Sequence, residues 1–144
     1  MLRDLSFGEF REHGIEISGN EMESGEFRFR LASKESSYIR TEAVHASSWQ
    51  KSHYHREQSE CFFIEKGMAI SATVESGKVL VRTYQEGDFF IISSMTVHNI
   101  FLEKGSISHT IKWGGRPDWN AFPDLDEYIK QNVSIHRETE GKGT

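Results

Sequence analysis

The sequence predicts an all-β fold closed by one short C-terminal helix, and three observations carry that prediction. Short segments alternating apolar and polar side chains recur along the chain, as in EFRFRL at 26–31 and SISHTIKW at 106–113. Polar turns separate them, most containing glycine, such as Glu75-Ser76-Gly77 and Glu103-Lys104-Gly105. Ten Phe, four Tyr and three Trp against two Pro suit strands that bury an aromatic core rather than a disordered chain.

Taken in order, residues 4–12 hold one or two helical turns after a cap at Ser6, a reading weakened by Gly8. Ile15 to Ser18 reads as a strand closed by Gly19-Asn20. Glu26 to Leu31 reads as another, with Phe27, Phe29 and Leu31 on one face and Arg28 and Arg30 on the other. After the polar LASKESS comes Tyr38 to Ala46, then the loop SSWQKS. The run ECFFI from Glu60 suits a buried strand, and MAISATV and KVLVRTY form a hairpin about Glu75-Ser76-Gly77. FFII and HNIFLE follow, and SISHTIKW places Ile107, His109, Ile111 and Trp113 on one face, expected to be interior. PDLDEYIKQNV has acids early, Lys130 late, and Leu125, Tyr128, Ile129 and Val133 on one side, which is an amphipathic helix. The polar tail HRETEGKGT is expected to fray.

The chemistry is concentrated in HYHREQSECFFIEKG at 53–67. Two histidines one residue apart project from the same face of an extended strand, so they can grip one ion. Glu60 across a turn and an imidazole from elsewhere would complete a set suited to a divalent transition metal: Fe, Mn, Ni, Co or Zn. His53-x-His55-x4-Glu60-x6-Gly67 resembles the first motif of the cupin superfamily. Gly87, eleven residues before His98, resembles the second. There, Ser93 stands at the family's proline position, Met95 at its inner glycine and Leu102 at its asparagine, while Ser47 stands where a glycine often opens the first motif. The resemblance implies a double-stranded β-helix, or jelly-roll barrel, and metal ligands His53, His55, Glu60 and His98. The expectation is one domain over 1–144, with a barrel core at about 26–113 and a helix at about 124–133.

Around that centre, His109 and Tyr38 are the candidates for moving a proton, and Arg40, Phe62 and Trp49 for contacting a substrate. For Arg40 an ion pair with Glu42 is an equal reading, and Trp49 is as easily packed on the barrel edge. Cys61 follows a ligand directly and turns away from it, as a small hydrophobe rather than a nucleophile. His13 and His45 have no partner at ligand spacing.

Seventeen basic against 22 acidic residues give a net charge of -5, which argues against nucleic acid or an anionic membrane as partner. One cysteine allows no internal disulfide, and MLRDLSFGEF has no apolar run of signal-peptide length, so a cytoplasmic location is expected. A homodimer is expected because the strands around Phe27 and Phe29 carry an apolar face that needs cover. The resemblance implies a metal-dependent enzyme acting on a small oxygen-rich metabolite such as a sugar derivative, keto acid or diketone. The reaction stays open between isomerase or epimerase and dioxygenase. The alternative is a non-catalytic binding or sensory module; the intact ligand set argues against a storage protein.

Overall fold

A computed structural model describes residues 7–23 and 25–134 of the chain. Helix α1 (Phe7–Glu12) leads into β1 (Glu16–Glu21), β2 (Glu26–Ala32) and β3 (Ser37–Ala43). The two-residue strands β4 (Ser48–Trp49) and β5 (His53–Tyr54) precede β6 (Ser59–Lys66), β7 (Met68–Glu75), β8 (Lys78–Gln85) and β9 (Phe89–Ile92). The chain then forms β10 (His98–Leu102), β11 (Ile107–Trp113), β12 (Asn120–Ala121) and helix α2 (Pro123–Asn132). Ser6 and the tail HRETEGKGT lie outside the described residues.

Two antiparallel sheets face each other, in the orders β1-β2-β3-β11-β6-β9 and β12-β5-β10-β7-β8, with β4 also pairing β10. One part of the space between them is filled by Ala43, Phe62, Ile64, Ala69, Phe90, Ile92, Ile100 and Leu102. Strand β10 is buried along its whole length, with His98, Ile100 and Leu102 toward the interior, Asn99 bonded to Asp126 of α2 and Phe101 packed on Trp49. Leu125 and Ile129 of α2 pack with Ala72 of β7, as the helix's apolar spacing requires.

Three sequence expectations are corrected. Strand β1 does not stop at Gly19-Asn20: Gly19 pairs with Phe29, and the turn lies beyond Met22, where the Met22 N–H donates to the Glu26 carbonyl at 2.7 Å. Strand β3 ends at Ala43 rather than at Ala46. The largest correction concerns the face of β11. Ser108 and Thr110 are buried and, with Lys112, line the interior, whereas Ile111 and Trp113 are 53% and 41% exposed. A register shift between Ile107 and Ser108 against β6 lets both residues be buried, which breaks the parity that Ile107 would have set for the rest of the strand. Apolarity misled here because this part of the interior is a polar-walled cavity and not a packed core.

Between β6 and β7 the chain passes from one sheet to the other through a single residue, Gly67. Its φ is +82°, and a Cβ there would lie 2.2 Å from Ser106 Oγ and 2.8 Å from Ser106 Cα. Ser106 cannot retreat, since its hydroxyl accepts from the Met68 N–H at 2.9 Å and donates to the Met68 carbonyl at 3.0 Å. Gly67→Ala should therefore destabilise the fold by roughly 2–5 kcal/mol, combining left-handed strain with a clash. Urea unfolding of the variant at wild-type stability would contradict this packing.

Candidate metal centre

Each sheet supplies part of one cluster. His53 on β5 pairs directly with His98 on β10, and His55 follows just after β5. Glu60 reaches in from β6, in the opposite sheet. One ligand atom from each of the four lies within 4.8 Å of every other. The side chains are almost wholly buried, with relative exposures of 9% for His53, 3% for His55, 2% for Glu60 and 1% for His98.

The hydrogen bonds decide what these groups can do. The Nδ1 of His53 meets the Lys51 carbonyl at 2.8 Å, that of His55 meets the Asp118 carbonyl at 2.5 Å, and that of His98 meets the Thr96 carbonyl at 2.8 Å. A carbonyl can only accept, so each Nδ1 carries the proton and each Nε2 presents a lone pair to the cluster. His55 Nε2 lies 2.5 Å from Glu60 Oε1, and His98 Nε2 lies 3.6 Å from Glu60 Oε2. Despite this closeness His55 Nε2, His98 Nε2 and Glu60 Oε1 are buried with no hydrogen-bond partner. Acceptors facing acceptors in a dry site are costly unless a cation lies among them. Three imidazole nitrogens and one carboxylate fit a divalent transition metal, and the cluster is a binding site for one.

Burial, with His98 beside it, pushes the His53 imidazole down to about 3, the hydrogen bond to Lys51 pulling the other way. Burial raises the Glu60 carboxyl and the charge of Lys112 lowers it, while imidazoles protonated at Nδ1 donate nothing to it. The shift of His53 keeps that imidazole neutral and able to ligate.

The surroundings hold the ligands in place. Asp126 of α2 accepts at one carboxylate oxygen from the Ser52 N–H (2.9 Å), the Ser52 hydroxyl (2.7 Å) and the Asn99 amide (3.2 Å). Ser52 precedes His53 and Asn99 follows His98, so this clamp ties the helix to both ligand strands. Met95, where the cupin pattern has glycine, adopts φ +66° and donates its N–H to the His55 carbonyl at 2.7 Å. The left-handed turn is kept although the glycine is not. Trp119 stacks on His53 with ring centroids 5.3 Å apart.

Of the residues expected to contact a substrate, Phe62 and Trp49 line the cavity that opens on the cluster, and Trp49 also packs on Phe101. His109, Tyr38 and Arg40 do not. The Tyr38 hydroxyl meets His109 Nδ1 at 2.7 Å, His109 Nε2 meets Glu65 at 2.7 Å, and Arg40 pairs with Glu42 at 3.2 Å, all on the outer face of the β1-β2-β3-β11-β6-β9 sheet. The reason is the face of β11: His109 pairs with Arg40 and Phe63, both outward, while the inward row is Ser108, Thr110 and Lys112. Sequence reasoning missed Arg28, Arg30, Lys112 and Trp119, which line the cavity. Alternation puts Arg28 and Arg30 on one face of β2, but only the sheet register to Glu60 decides that this face and Lys112 point inward.

No family model and no curated protein sequence matches the chain. Solved structures do. KdgF from Halomonas sp. aligns with a TM-score of 0.57 and 18% identity, covering 70% of this chain and 88% of that one. An oxalate oxidase aligns at 0.59 and 17%, covering 74% and 60%. Bacillus subtilis oxalate decarboxylase, described with Mn(II) centres, aligns at 0.63 and 16%, covering 97% of this chain. The chain thus spans 60% of the oxidase and 36% of the decarboxylase. These similar structures are cupin-fold proteins, and the two-sheet barrel described above is the cupin fold.

The metal-free protein should lose stability on acidification. His53 protonates near 6.5 when unfolded but only near 3 when folded, so between these values the unfolded chain binds more protons and stability falls as pH falls. The urea midpoint is expected to be lower at pH 5 than at pH 7.5, and His53→Gln should flatten the difference. An unchanged midpoint in the wild type would contradict the buried neutral imidazole.

Proposed function

We propose that the protein is a metal-dependent enzyme that acts on a small oxygen-rich metabolite bound at the cluster, by moving a proton in an isomerase or epimerase type of reaction. The observation that carries this reading is that the ligand set borders a cavity of about 640 Å³ whose wall holds a buried amine, Lys112, beside the ligand Glu60. A divalent ion held by the four ligands supplies Lewis-acid polarisation of substrate oxygens. The volume suits a small metabolite.

The chain's own residues supply the rest. Lys112 Nζ lies 3.8 Å from Glu60 Oε1, and its side chain is only 16% exposed. Burial lowers its pKa, the nearby Glu60 opposing the shift, and this moves the amine toward the neutral form that can accept a proton. Thr41, Ser108 and Thr110 place buried hydroxyls along the same wall for the substrate's oxygens. Trp119 stacks on His53 and adds an aromatic face to the cavity lining. That two similar structures are named as oxalate enzymes supports a small organic acid as the kind of substrate.

The test is hydrogen exchange at carbon. In D₂O, protein loaded with Mn, Fe, Co, Ni or Zn should exchange the hydrogen next to a carbonyl in at least one member of a panel of sugar acids and keto acids, read by NMR. Lys112→Met should retain the metal and lose exchange by roughly a hundredfold or more. Dioxygen consumption with no exchange would favour the oxidative reaction instead.

We further propose a homodimer formed through the outer face of the β1-β2-β3-β11-β6-β9 sheet. Register aligns Leu31, Tyr38, Ile111, Cys61 and Ile91 into one outward row across five strands, and Phe29, Arg40, His109, Phe63 and Phe89 into the next. Phe89 and Ile91 are 68% and 63% exposed. An uncovered row of this kind favours association. Light scattering should give twice the chain mass at tens of micromolar and a monomer for Ile111→Glu; a wild-type monomer would contradict the proposal.

A further inference from the structure

Four cations, Arg28, Arg30, Lys51 and Lys112, line the metal cavity together with Glu21, Glu23, Glu26 and Glu60, with Arg28 partly buried and Arg30 more open to solvent. Lys112 has Glu60 at 3.8 Å, but Glu60 belongs to the metal cluster. Arg28 feels the charge of Glu26, yet its Nε is buried with no hydrogen-bond partner. No ion pair within 4 Å involves Arg28 or Arg30 among the described residues. Burial lowers the pKa of Arg28, Glu26 opposing, yet a guanidinium so far above neutrality stays charged. Leaving its buried Nε without a hydrogen-bond partner is costly, and an arginine that served only the fold would be better replaced by an apolar residue.

The sheet register fixes where this charge stands relative to the cluster. Glu60 on β6 is opposite Lys112 on β11, and one step along, Phe62, Thr110, Ile39 and Arg30 form a row across four strands. The following row holds Ser108, Thr41 and Arg28. From the metal ligand the wall therefore runs past an amine and three hydroxyls to two guanidinium groups on β2. Arg28 and Arg30 are two residues apart on one face, about 7 Å along the strand, a spacing from which two forks can converge on one small anion. The wall is paired β-strand whose main-chain N–H groups serve the ladder, so it has no backbone cradle of the kind that holds phosphate.

We infer that Arg28 and Arg30 form a receptor for a carboxylate of the substrate, distinct from the oxygens that approach the metal cluster. The ligand class is then a small acid carrying a carboxylate at one end and chelating oxygens at the other. This deepens the proposed function and rests on its reading of the cluster as a metal site open to substrate.

The test compares two probes that differ only in a terminal group, 2-hydroxyglutarate and 2-hydroxyvalerate, titrated calorimetrically into manganese-loaded protein. The diacid should bind roughly ten- to a hundredfold more tightly, the range for hydrogen bonds to a charged group. Arg28→Gln and Arg30→Gln should each shrink that preference while leaving manganese stoichiometry unchanged. Equal affinity for the two probes, including no binding of either, overturns the inference, as does a preference that survives both substitutions. If the protein takes up no manganese, the metal reading fails by itself. The same comparison with glutarate and valerate on metal-free protein then decides the receptor: an Arg28-dependent preference for glutarate supports it, and its absence overturns it.

Discussion

Three imidazoles whose Nδ1–H groups are committed to main-chain carbonyls, and a buried carboxylate facing them, impose one requirement on the barrel: a cation must lie where their lone pairs meet. Because Glu60 comes from one sheet and His53 and His98 from the other, the cluster is also a tie between the two layers. The features around it serve that geometry. Asp126 fixes the residues next to His53 and His98, and Met95 keeps a left-handed turn so that its N–H can hold the His55 carbonyl. The orienting bonds come mainly from backbone carbonyls, so the positions of the rings depend on the fold as a whole rather than on a few side chains.

The interior is divided in two by what it must contain. Toward Gly67 the sheets pack Ile64, Ala69, Phe90 and Leu102 and exclude solvent; toward the ligands they line a cavity with hydroxyls, cations and the metal cluster. A strand that borders the cavity therefore carries its polar residues inward. On β2 and β11 this reverses the usual amphipathic arrangement, with Arg28, Arg30 and Lys112 lining the cavity while Phe27, Ile111 and Trp113 face out. The reversal ties two properties together. The chemistry that can receive an acid inside and the apolar rows that favour a second copy outside arise from the same strands.

Much of this was legible in the sequence. The spacing from His53 to Gly67 and the distance from Gly87 to His98 carry both the fold and the four ligands, because each spacing is a covalent count between strand ends. Long strands such as β2, β6, β7 and β8 are legible close to their observed bounds. The two-residue strands β4, β5 and β12 are not, since pairing with β10 or β5 and not local propensity defines them. The functional face of β11 was misread for a related reason. Apolar side chains were assumed to mark the interior, whereas Glu60, already known as a ligand, fixes through register which residues of β11 and β2 point to the site. That register is a tertiary fact, and His109, Tyr38 and Arg40 were placed on the wrong side for want of it.

The account stands on the claim that one ion binds among His53, His55, Glu60 and His98. The most direct measurement is a crystal structure of protein grown with manganese, with anomalous diffraction used to locate the metal. The account predicts one strong anomalous peak bounded by three Nε2 atoms and a Glu60 oxygen, each at roughly 2.0–2.3 Å. A cluster left without a peak while manganese binds elsewhere, or a ring ligating through Nδ1, would contradict it.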